Sequence, residues 1–525
     1  MPLFLAGLSL RARIWLVVSV VAAGYAATSG ALLLHPSPHF HFVDMAESFL
    51  HGRLDSDTPR RHLGQAQKPE DPKGLQEAVE RALRDGKGNA VGWNDWASFR
   101  VLQLKGGETV RGVFPWKDQA GPRAKEFYTL DGRLMLIDVD KDIRHGQCTG
   151  LAGISGVDTK SAFRKCDDVV YQISFPPGPA LFMLPFVAVF HYHFNDVIYT
   201  LLFAVAAALL FFLWLERLAA SQLIDHGPGD RLWLTALYAF GTVAWFCSIR
   251  GEVWFTAQIM GVALHFAYLL TATGARRPWV AGLILGLAVA TRTPLLYAAL
   301  FLPMQALWPN GRWLGGQGNS ALPAAIKKLF SYGIPLVLVG LALAWFNWAR
   351  WGNPTEFGHF YLLEGTRAPT RDHGLFAFAF LNHNLGTGLL NMPSLSSEAP
   401  FLQISRHGLG LLACTPALVA LFGPRRRDEH APELSVDVQA NRASLAKHLL
   451  ISAACVALPG FFYQNDGWQQ FGYRFALDFL PPLLGAFAIL VPRLNRTTRV
   501  LIVLAIVVNL FGAISFGRME QFYYD

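Results

Sequence analysis

The sequence predicts an α-helical membrane protein that crosses the bilayer many times and carries one small polar insert. Hydrophobic residues make up 52% of its 525 residues and charged residues only 16%, and the mean hydropathy is +0.30. A soluble chain of this size is less apolar. Many apolar residues also fall into runs of about 20, the length that a helix needs to cross a bilayer.

The first apolar run, from Ile14 to Leu34, follows Arg11 and Arg13. It is about 21 residues long, which is longer than the apolar part of a secretory signal peptide, and further runs follow it. We interpret it as a retained transmembrane helix with its N-terminus inside. Residues 1–56 then comprise this span and a juxtamembrane helix on the outer side.

Residues 57–170 form a polar insert with the signals of a small extracytoplasmic α+β domain. The insert holds one helical stretch, "GLQEAVERALRDG", and two strand-like pieces, "FRVLQLKGGETVRGVF" and "EFYTLDGRLMLIDV". Cys148 and Cys166 close a loop of about 17 residues, a closure worth roughly 3 kcal/mol by chain entropy. Because the outer compartment is oxidising, we predict a disulfide between them.

Residues 171–525 form a domain of many spans. Its first segment, "SFPPGPALFMLPFVAVFHYHF", has about fourteen continuous apolar residues after its prolines, which suits an interfacial or re-entrant helix. The remaining spans are predicted at 196–216, 231–249, 254–273, 279–294, 295–309, 331–349, 407–423, 448–463, 474–492 and 499–517. Together with the first helix, they give about eleven transmembrane helices and a C-terminus outside.

The charges support this topology. The basic loops "GARRPW", "GPRRRDEH" and "RLNRTTR" then all lie inside, as the positive-inside rule requires. The net charge of +8 is therefore a topology signal, and we expect membrane lipids and not nucleic acid as partners. The outer face is formed by loops 250–254, 350–406 and 464–474, together with the juxtamembrane helix.

Two arginines on this outer face are candidates for binding a phosphate. Arg292 lies inside the apolar pattern "GLILGLAVATRTPLLYAALF", where Pro294 breaks the helix. A cation beside freed backbone groups suits a phosphate. The alternative is an arginine that extends to the lipid headgroups. Arg474 carries the same two interpretations, with Asp478 one turn away as a structural partner.

A second candidate group is "RGEVWF", which interrupts a helical hairpin. Glu252, flanked by Arg250 and Trp254, suits a hydroxylated, ring-shaped ligand. The alternative is an ion pair within the loop beside an interfacial tryptophan. Trp254, Trp468 and Tyr473 are the aromatic candidates for stacking on sugar rings or lining a lipid groove.

The stretch "HFHFVDMAESFLHGRL" predicts an amphipathic helix on the outer surface. Helical spacing puts Asp44, Glu47 and His51 on one face. A carboxylate there can act as a general base towards an acceptor hydroxyl, and a histidine such as His41 can tune its pKa or bind substrate. The alternative is a solvated polar face.

The order of these features resembles the GT-C superfamily of membrane glycosyltransferases, above all the protein O-mannosyltransferases and the lipid A aminoarabinose transferase. The segments that carry the resemblance are the outer helix ending "FLHGRL", then "FPPGPALFMLP", "RGEVWF" and "WVAGLILGLAVATRTP". The resemblance covers most of the spans but not the insert. It implies packed spans with juxtamembrane helices over an outer cavity, and inverting transfer of a sugar from a polyprenyl-phosphate donor. It also places Arg292 near the lipid phosphate and Glu252 in the cavity.

The chain departs from the family pattern at the catalytic base. Relatives commonly carry an Asp, or an Asp-Glu pair, about fifteen residues before the Gly that closes the outer helix, and counting back from Gly52 reaches Ser37 and Pro38. Either the helix is offset and Asp44 takes the role, or Glu252 or a histidine does, or the chain is not an active transferase.

We therefore expect a glycosyltransferase of the cytoplasmic membrane that acts at its outer face on a hydroxyl acceptor, which is a glycan, a lipid or a protein. The alternatives are a transporter or flippase of a lipid-linked saccharide and a non-catalytic assembly partner. No Cys/His spacing matches a zinc site and no tight carboxylate cluster demands an ion. We therefore assign no metal ligands and no required cofactor, and the sequence leaves dependence on a divalent metal open.

Overall fold

The computed structural model describes residues 7–37, 39, 41–56, 96–104, 108–113, 124–138, 163–314, 321–359, 373–423 and 435–524. Most of these residues are helical. Six helices in this part of the chain are long and apolar enough to cross a membrane. The protein is therefore a helical membrane protein, as the composition predicts.

The helices, numbered in chain order, are α1 (Leu10–Ser29), α2 (His41–Leu50), α3 (Gly178–Phe190), α4 (Asp196–Ala220), α5 (Pro228–Phe240), α6 (Ala244–Ser248), α7 (Val253–Ala272), α8 (Pro278–Thr291), α9 (Phe301–Leu307), α10 (Ala321–Trp351), α11 (Leu381–Leu385), α12 (Leu411–Cys414), α13 (Val436–Phe462), α14 (Ala476–Leu490) and α15 (Arg496–Ser515). The strands are β1 (Trp96–Leu104), β2 (Thr109–Val113), β3 (Ala124–Thr129), β4 (Leu134–Asp138), β5 (Phe163–Ile173), β6 (Ser394–Leu395), β7 (Leu402–Ser405) and β8 (Tyr523–Tyr524).

The candidate spans are α1, α4, α7, α10, α13 and α15, of which α1 continues as a 3₁₀ turn to Leu34 and α7 to Ala275. Each coincides with a predicted span. Three further predicted spans correspond to shorter apolar helices, namely α8, the stretch Thr293–Leu307 and α14. At 13 residues, α3 is about 20 Å long, which is too short to cross a hydrocarbon core of about 30 Å.

Two predicted spans are broken into short pieces. The stretch 231–249 consists of α5 and α6, with a bend between Phe240 and Ala244. The stretch 407–423 consists of α12 and the 3₁₀ helix Pro416–Phe422. Proline has no N–H to donate and fixes its own φ, so Pro416 prevents α12 from continuing.

The chain divides into two compact units. The first comprises residues 1–37, 195–339 and 375–525, and the second comprises residues 38–194 and 340–374. The first unit is held by apolar contacts between its helices. At its centre the rings of Phe211, Tyr238 and Phe266 pack against one another, with centroids 4.8 to 5.9 Å apart. Each of the three side chains is fully buried.

The second unit contains a five-stranded sheet in the order β4-β3-β2-β1-β5, whose neighbours pair antiparallel. The two strand-like pieces of the sequence thus form strands, as predicted, and they give the antiparallel pairs β1-β2 and β3-β4. Phe99 of β1 packs against Trp351 at the end of α10. Arg350 donates to the side chain of Gln172 and to the carbonyl oxygen of Ile173, which fixes the end of β5.

Candidate functional site

Three predicted site residues, Arg250, Arg292 and Arg474, lie together in the first unit, and we call them the arginine cluster. Two phenylalanine rings link them. The guanidinium carbons of Arg250 and Arg474 lie 6.0 and 5.7 Å from the centre of the Phe255 ring. Those of Arg292 and Arg474 lie 5.6 and 5.4 Å from the centre of the Phe475 ring. Guanidinium groups at this distance from aromatic rings are stabilised by cation–π attraction.

Arg250 forms a bidentate ion pair with Glu252 in the loop that precedes α7. Its Nε donates to Oε1 at 2.9 Å and to Oε2 at 3.0 Å, and its Nη2 donates to Oε1 at 2.6 Å. Its Nη1 donates to the carbonyl oxygen of Phe516 at 2.9 Å. Both oxygens of the Glu252 carboxylate are thus engaged by Arg250. A carboxylate held in this way can orient a ligand.

Arg292 lies where α8 ends. Its φ and ψ of −144° and 103° are extended, and Pro294 follows, so the helix stops as the sequence predicts. The i, i+4 spacing predicted Asp478 as the partner of Arg474, whereas Asp478 forms a bidentate pair with Arg292. The pair joins the end of α8 to the first turn of α14.

Arg474 is only 5% exposed. Its backbone N–H donates to Oε1 of Gln470, and its Nη1 donates to the carbonyl oxygens of Gly467 and Trp468. An arginine that extends to the lipid headgroups has an exposed guanidinium, so this geometry does not fit that interpretation.

The predicted aromatic residues differ in exposure. Tyr473 is 1% exposed and stacks on Phe461, with ring centroids 6.1 Å apart and planes 4° from parallel. It therefore packs in the interior. Trp254 and Trp468 are partly exposed.

The predicted outer helix is α2, in the second unit. Its candidate side chains are buried: His41 is 0%, Asp44 6% and Glu47 7% exposed. The interpretation as a solvated face is therefore wrong for Asp44 and Glu47, since α2 packs against α3, whereas His51 follows the helix and is exposed. Glu47 contacts His191, with Oε1 and Nδ1 2.8 Å apart. Burial, reinforced by the neighbouring His39, holds the pKa of His41 well below its ordinary value, so its ring is neutral.

Sequence reasoning missed a buried carboxylate beside "RGEVWF". Asp196, the first residue of α4, is 3% exposed and accepts from the N–H and the hydroxyl of Ser37 at 2.7 and 2.5 Å. A side chain at Gly251 would collide with Asp196, since a Cβ built there lies 2.6 Å from its Oδ1. Asp196 therefore packs directly against the loop that carries Arg250 and Glu252. Ser37, the residue fifteen positions before Gly52, binds this carboxylate.

The structure also brings together three residues that no local spacing connects, His383, His407 and Asp466. Both imidazoles contact Oδ2 of Asp466, from His383 Nε2 at 2.9 Å and from His407 Nδ1 at 2.5 Å. Burial tends to raise the pKa of the Asp466 carboxyl, but the hydrogen bonds and charges of the two histidines outweigh it and hold this pKa below its ordinary value. His383 and Asp466 lie in predicted outer loops, and His407 directly follows one. Their common place on the outer face was the one indication in the sequence that they could lie near one another.

The predicted disulfide stays a prediction. Cys148 lies outside the described residues, and Cys166 lies on β5. The helical stretch of the insert, "GLQEAVERALRDG", also lies outside them.

Comparison of the chain with protein-family models, with curated proteins and with solved structures found no match.

Proposed function

We propose that the protein is an inverting glycosyltransferase that moves a sugar from a polyprenyl-phosphate donor to a hydroxyl acceptor at the outer membrane face. In this proposal about eleven helices cross the membrane in a GT-C-like arrangement. The proposal also includes insertion in the cytoplasmic membrane with the N-terminus inside and the active face outside. The substrates proposed are the lipid-linked donor and a glycan, lipid or protein acceptor.

The observation that carries the proposal is the arginine cluster. Arg250, Arg292 and Arg474 come from three separate segments and lie together at the ends of apolar helices. Charged groups are costly in this environment, and chains that retain them usually use them for function. Guanidinium groups bind phosphate oxygens through parallel N–H bonds, so a cluster of them suits the phosphate of a lipid-linked donor.

Sugar transfer requires cations that stabilise the leaving phosphate and a base that takes the proton of the acceptor hydroxyl. The acceptor oxygen attacks the anomeric carbon as the bond from that carbon to the phosphate oxygen breaks, and the lipid phosphate leaves with the electron pair. Arg292 and Arg474 stabilise the negative charge that develops on the leaving phosphate. A carboxylate takes the proton of the acceptor hydroxyl, and we assign this role to Asp44 from its place after the first span. Glu252, already paired with Arg250, orients the sugar.

The experiment is transfer of a radiolabelled sugar from polyprenyl phosphate to acceptors by the purified chain in nanodiscs, read by thin-layer chromatography. The test variant is Arg474→Lys, in the arginine cluster. The matched control is Arg442→Lys, which changes an arginine near the N-terminus of α13 that pairs with Asp225. We expect transfer by the parent and by Arg442→Lys, and a loss of about 10-fold or more in Arg474→Lys.

The alternative functions give different results in the same system. A transporter or flippase moves the labelled lipid between leaflets and leaves the sugar on it, and an assembly partner does neither. Movement of intact donor across the bilayer without sugar transfer would overturn the proposal. So would the absence of both activities across a panel of donors that carry hexose and pentose sugars.

A further inference from the structure

The strongest cluster outside the site just described is formed by His383, His407 and Asp466. The ligand atoms of these three side chains all lie within 4.8 Å of one another. We propose that they form a binding site for a divalent transition metal ion, with zinc the best fit. The site is independent of sugar transfer, so it stands or falls without the proposed function.

The donor set favours zinc. Two imidazole nitrogens and one carboxylate oxygen, with a fourth position for water, are a common zinc ligand set, whereas magnesium and calcium prefer oxygen ligands. Bond lengths of about 2.0 to 2.2 Å place tetrahedral ligand atoms roughly 3.4 Å apart. The two nitrogens now lie 2.9 and 2.5 Å from Oδ2 of Asp466, so both must move outward by less than about 1 Å.

The backbone segments that carry the ligands are already fastened to one another. The segment before His383 is tied to the end of α13, because Ala377 donates to the carbonyl oxygen of Phe462 at 2.9 Å. The segment after His407 is tied to the loop of Asp466, because Leu409 donates to the carbonyl oxygen of Phe471 at 2.8 Å. The backbone segments that carry the three ligands are therefore already held together before an ion binds.

One buried side chain positions two of the three ligands. Gln470 is 0% exposed, and its Nε2 donates to the carbonyl oxygens of His407 at 2.7 Å and Asp466 at 2.9 Å. Outer groups of this kind fix the orientation of metal ligands and contribute to affinity.

The site also has a path for entry. The side chain of Asp466 is 5% exposed, whereas those of His407 and His383 are 35% and 58% exposed. The carboxylate thus lies at the base of the cluster and the imidazoles lie towards solvent. An ion can reach the ligands from that side and keep a water molecule on it.

The test is zinc binding by the full chain, purified in detergent through a tag without histidine and stripped with a chelator. Titration calorimetry with zinc alone is compared for the parent, His383→Ala, His407→Ala and Asp466→Asn. The control is His193→Ala, which removes an exposed histidine from another segment. His383 is also exposed, so its loss leaves folding intact, and the unfolding temperature without zinc verifies this.

We expect the parent and His193→Ala to bind one high-affinity zinc ion, and each cluster variant to bind it about 100-fold more weakly or not at all. Excess magnesium or calcium should leave the parent's affinity unchanged. The proposal is wrong if the parent binds no high-affinity zinc, which would leave a purely hydrogen-bonded His-Asp-His cluster. It is equally wrong if His383→Ala and His193→Ala retain the same affinity as the parent.

Discussion

The guanidinium of Arg292 donates to both carboxylate oxygens of Asp478, from Nε to Oδ1 at 3.1 Å and from Nη2 to Oδ2 at 2.5 Å. The two side chains are 18% and 6% exposed. Removing one partner of such a pair leaves the other charge buried without its counter-ion, which costs about 3 to 5 kcal/mol, whereas replacing both by apolar residues is often neutral.

We therefore expect Asp478→Asn to lower the free energy of unfolding by about 3 kcal/mol, the lower end of the range, because Arg292 retains some exposure. The double variant Arg292→Met with Asp478→Leu should recover most of this loss. Chemical unfolding in detergent micelles measures both values.

The matched control is the pair of Arg442 and Asp225, whose carboxylate side chain is 43% exposed. Its disruption by Asp225→Asn should cost less than about 1 kcal/mol, because water replaces the lost contact. Equal losses for Asp478→Asn and Asp225→Asn would show that burial of the first pair has no energetic consequence.

Donor binding tests Arg474 directly. Because lysine keeps the charge but loses the planar, forked donor geometry, Arg474→Lys should weaken binding of polyprenyl phosphate by about 10-fold, or 1.4 kcal/mol. Arg292→Lys should weaken it in the same direction. Microscale thermophoresis with labelled protein gives the affinities, and unchanged values in both variants would leave these arginines with a structural role alone.

The sequence predicts the local features of this region well and their pairing poorly. The break after α8 follows from Pro294, and the ion pair of Arg250 with Glu252 is the alternative that the sequence offered for that loop. By contrast, Arg292 and Asp478 are 186 residues apart. Only the fold of the chain, which brings the residue that ends α8 to the first turn of α14, decides that Asp478 binds Arg292. Helical spacing reports neighbours along one helix and not across two.

The same limit applies to burial. The periodicity of α2 predicts a helix over the stretch that forms His41–Leu50, yet it also predicts a polar face on solvent. Asp44 and Glu47 are buried in a helix that packs against α3, and α3 comes more than a hundred residues later in the sequence. The cluster of His383, His407 and Asp466 was beyond sequence reasoning for the same reason, since zinc motifs are recognised by short spacings.

Gln470 is expected to stabilise the loop of residues 464–474. Replacing it with Leu leaves the carbonyl oxygens of His407 and Asp466 and the N–H of Arg474 without this partner, and each buried group left unsatisfied costs about 1 to 3 kcal/mol. We therefore expect Gln470→Leu to lower the free energy of unfolding by about 3 kcal/mol or more. Thermal unfolding of the purified chain measures it. As a control, Gln469→Leu changes the exposed neighbour and should cost less than about 0.5 kcal/mol.

The disulfide prediction concerns the insert. Cys166 lies on β5, which pairs with β1 at one end of the sheet formed by the described strands. If Cys148 is joined to it in an oxidising compartment, neither thiol reacts with an alkylating reagent until a reductant is added. Mass spectrometry shows whether Cys148 and Cys166 have been alkylated. The buried thiols of Cys247 and Cys414 are the control, because they react only if the chain unfolds. Alkylation of Cys148 and Cys166 in unreduced protein would contradict the prediction.

The assignment of the base is decided by comparing Asp44 with Glu252. The carboxylate of Glu252 accepts three hydrogen bonds from Arg250, so both of its oxygens are engaged in the ion pair. Asp44 lies on α2 with Glu47 one turn away, and both are buried. We expect Asp44→Asn to lower turnover by about 10² to 10⁴ with donor affinity retained, because a general base acts in the transition state and not in binding.

Glu252→Gln should instead weaken donor binding as well as transfer, because it breaks the pair that positions Arg250 beside Phe255. Both variants are assayed for donor affinity and for single-turnover transfer, so that the binding and chemical steps are separated. Transfer at the parental rate by Asp44→Asn would show that α2 serves packing and not chemistry. A loss of turnover with full donor affinity in Glu252→Gln would move the role of base to Glu252, since a residue that only positions the ligand cannot be removed without weakening its binding.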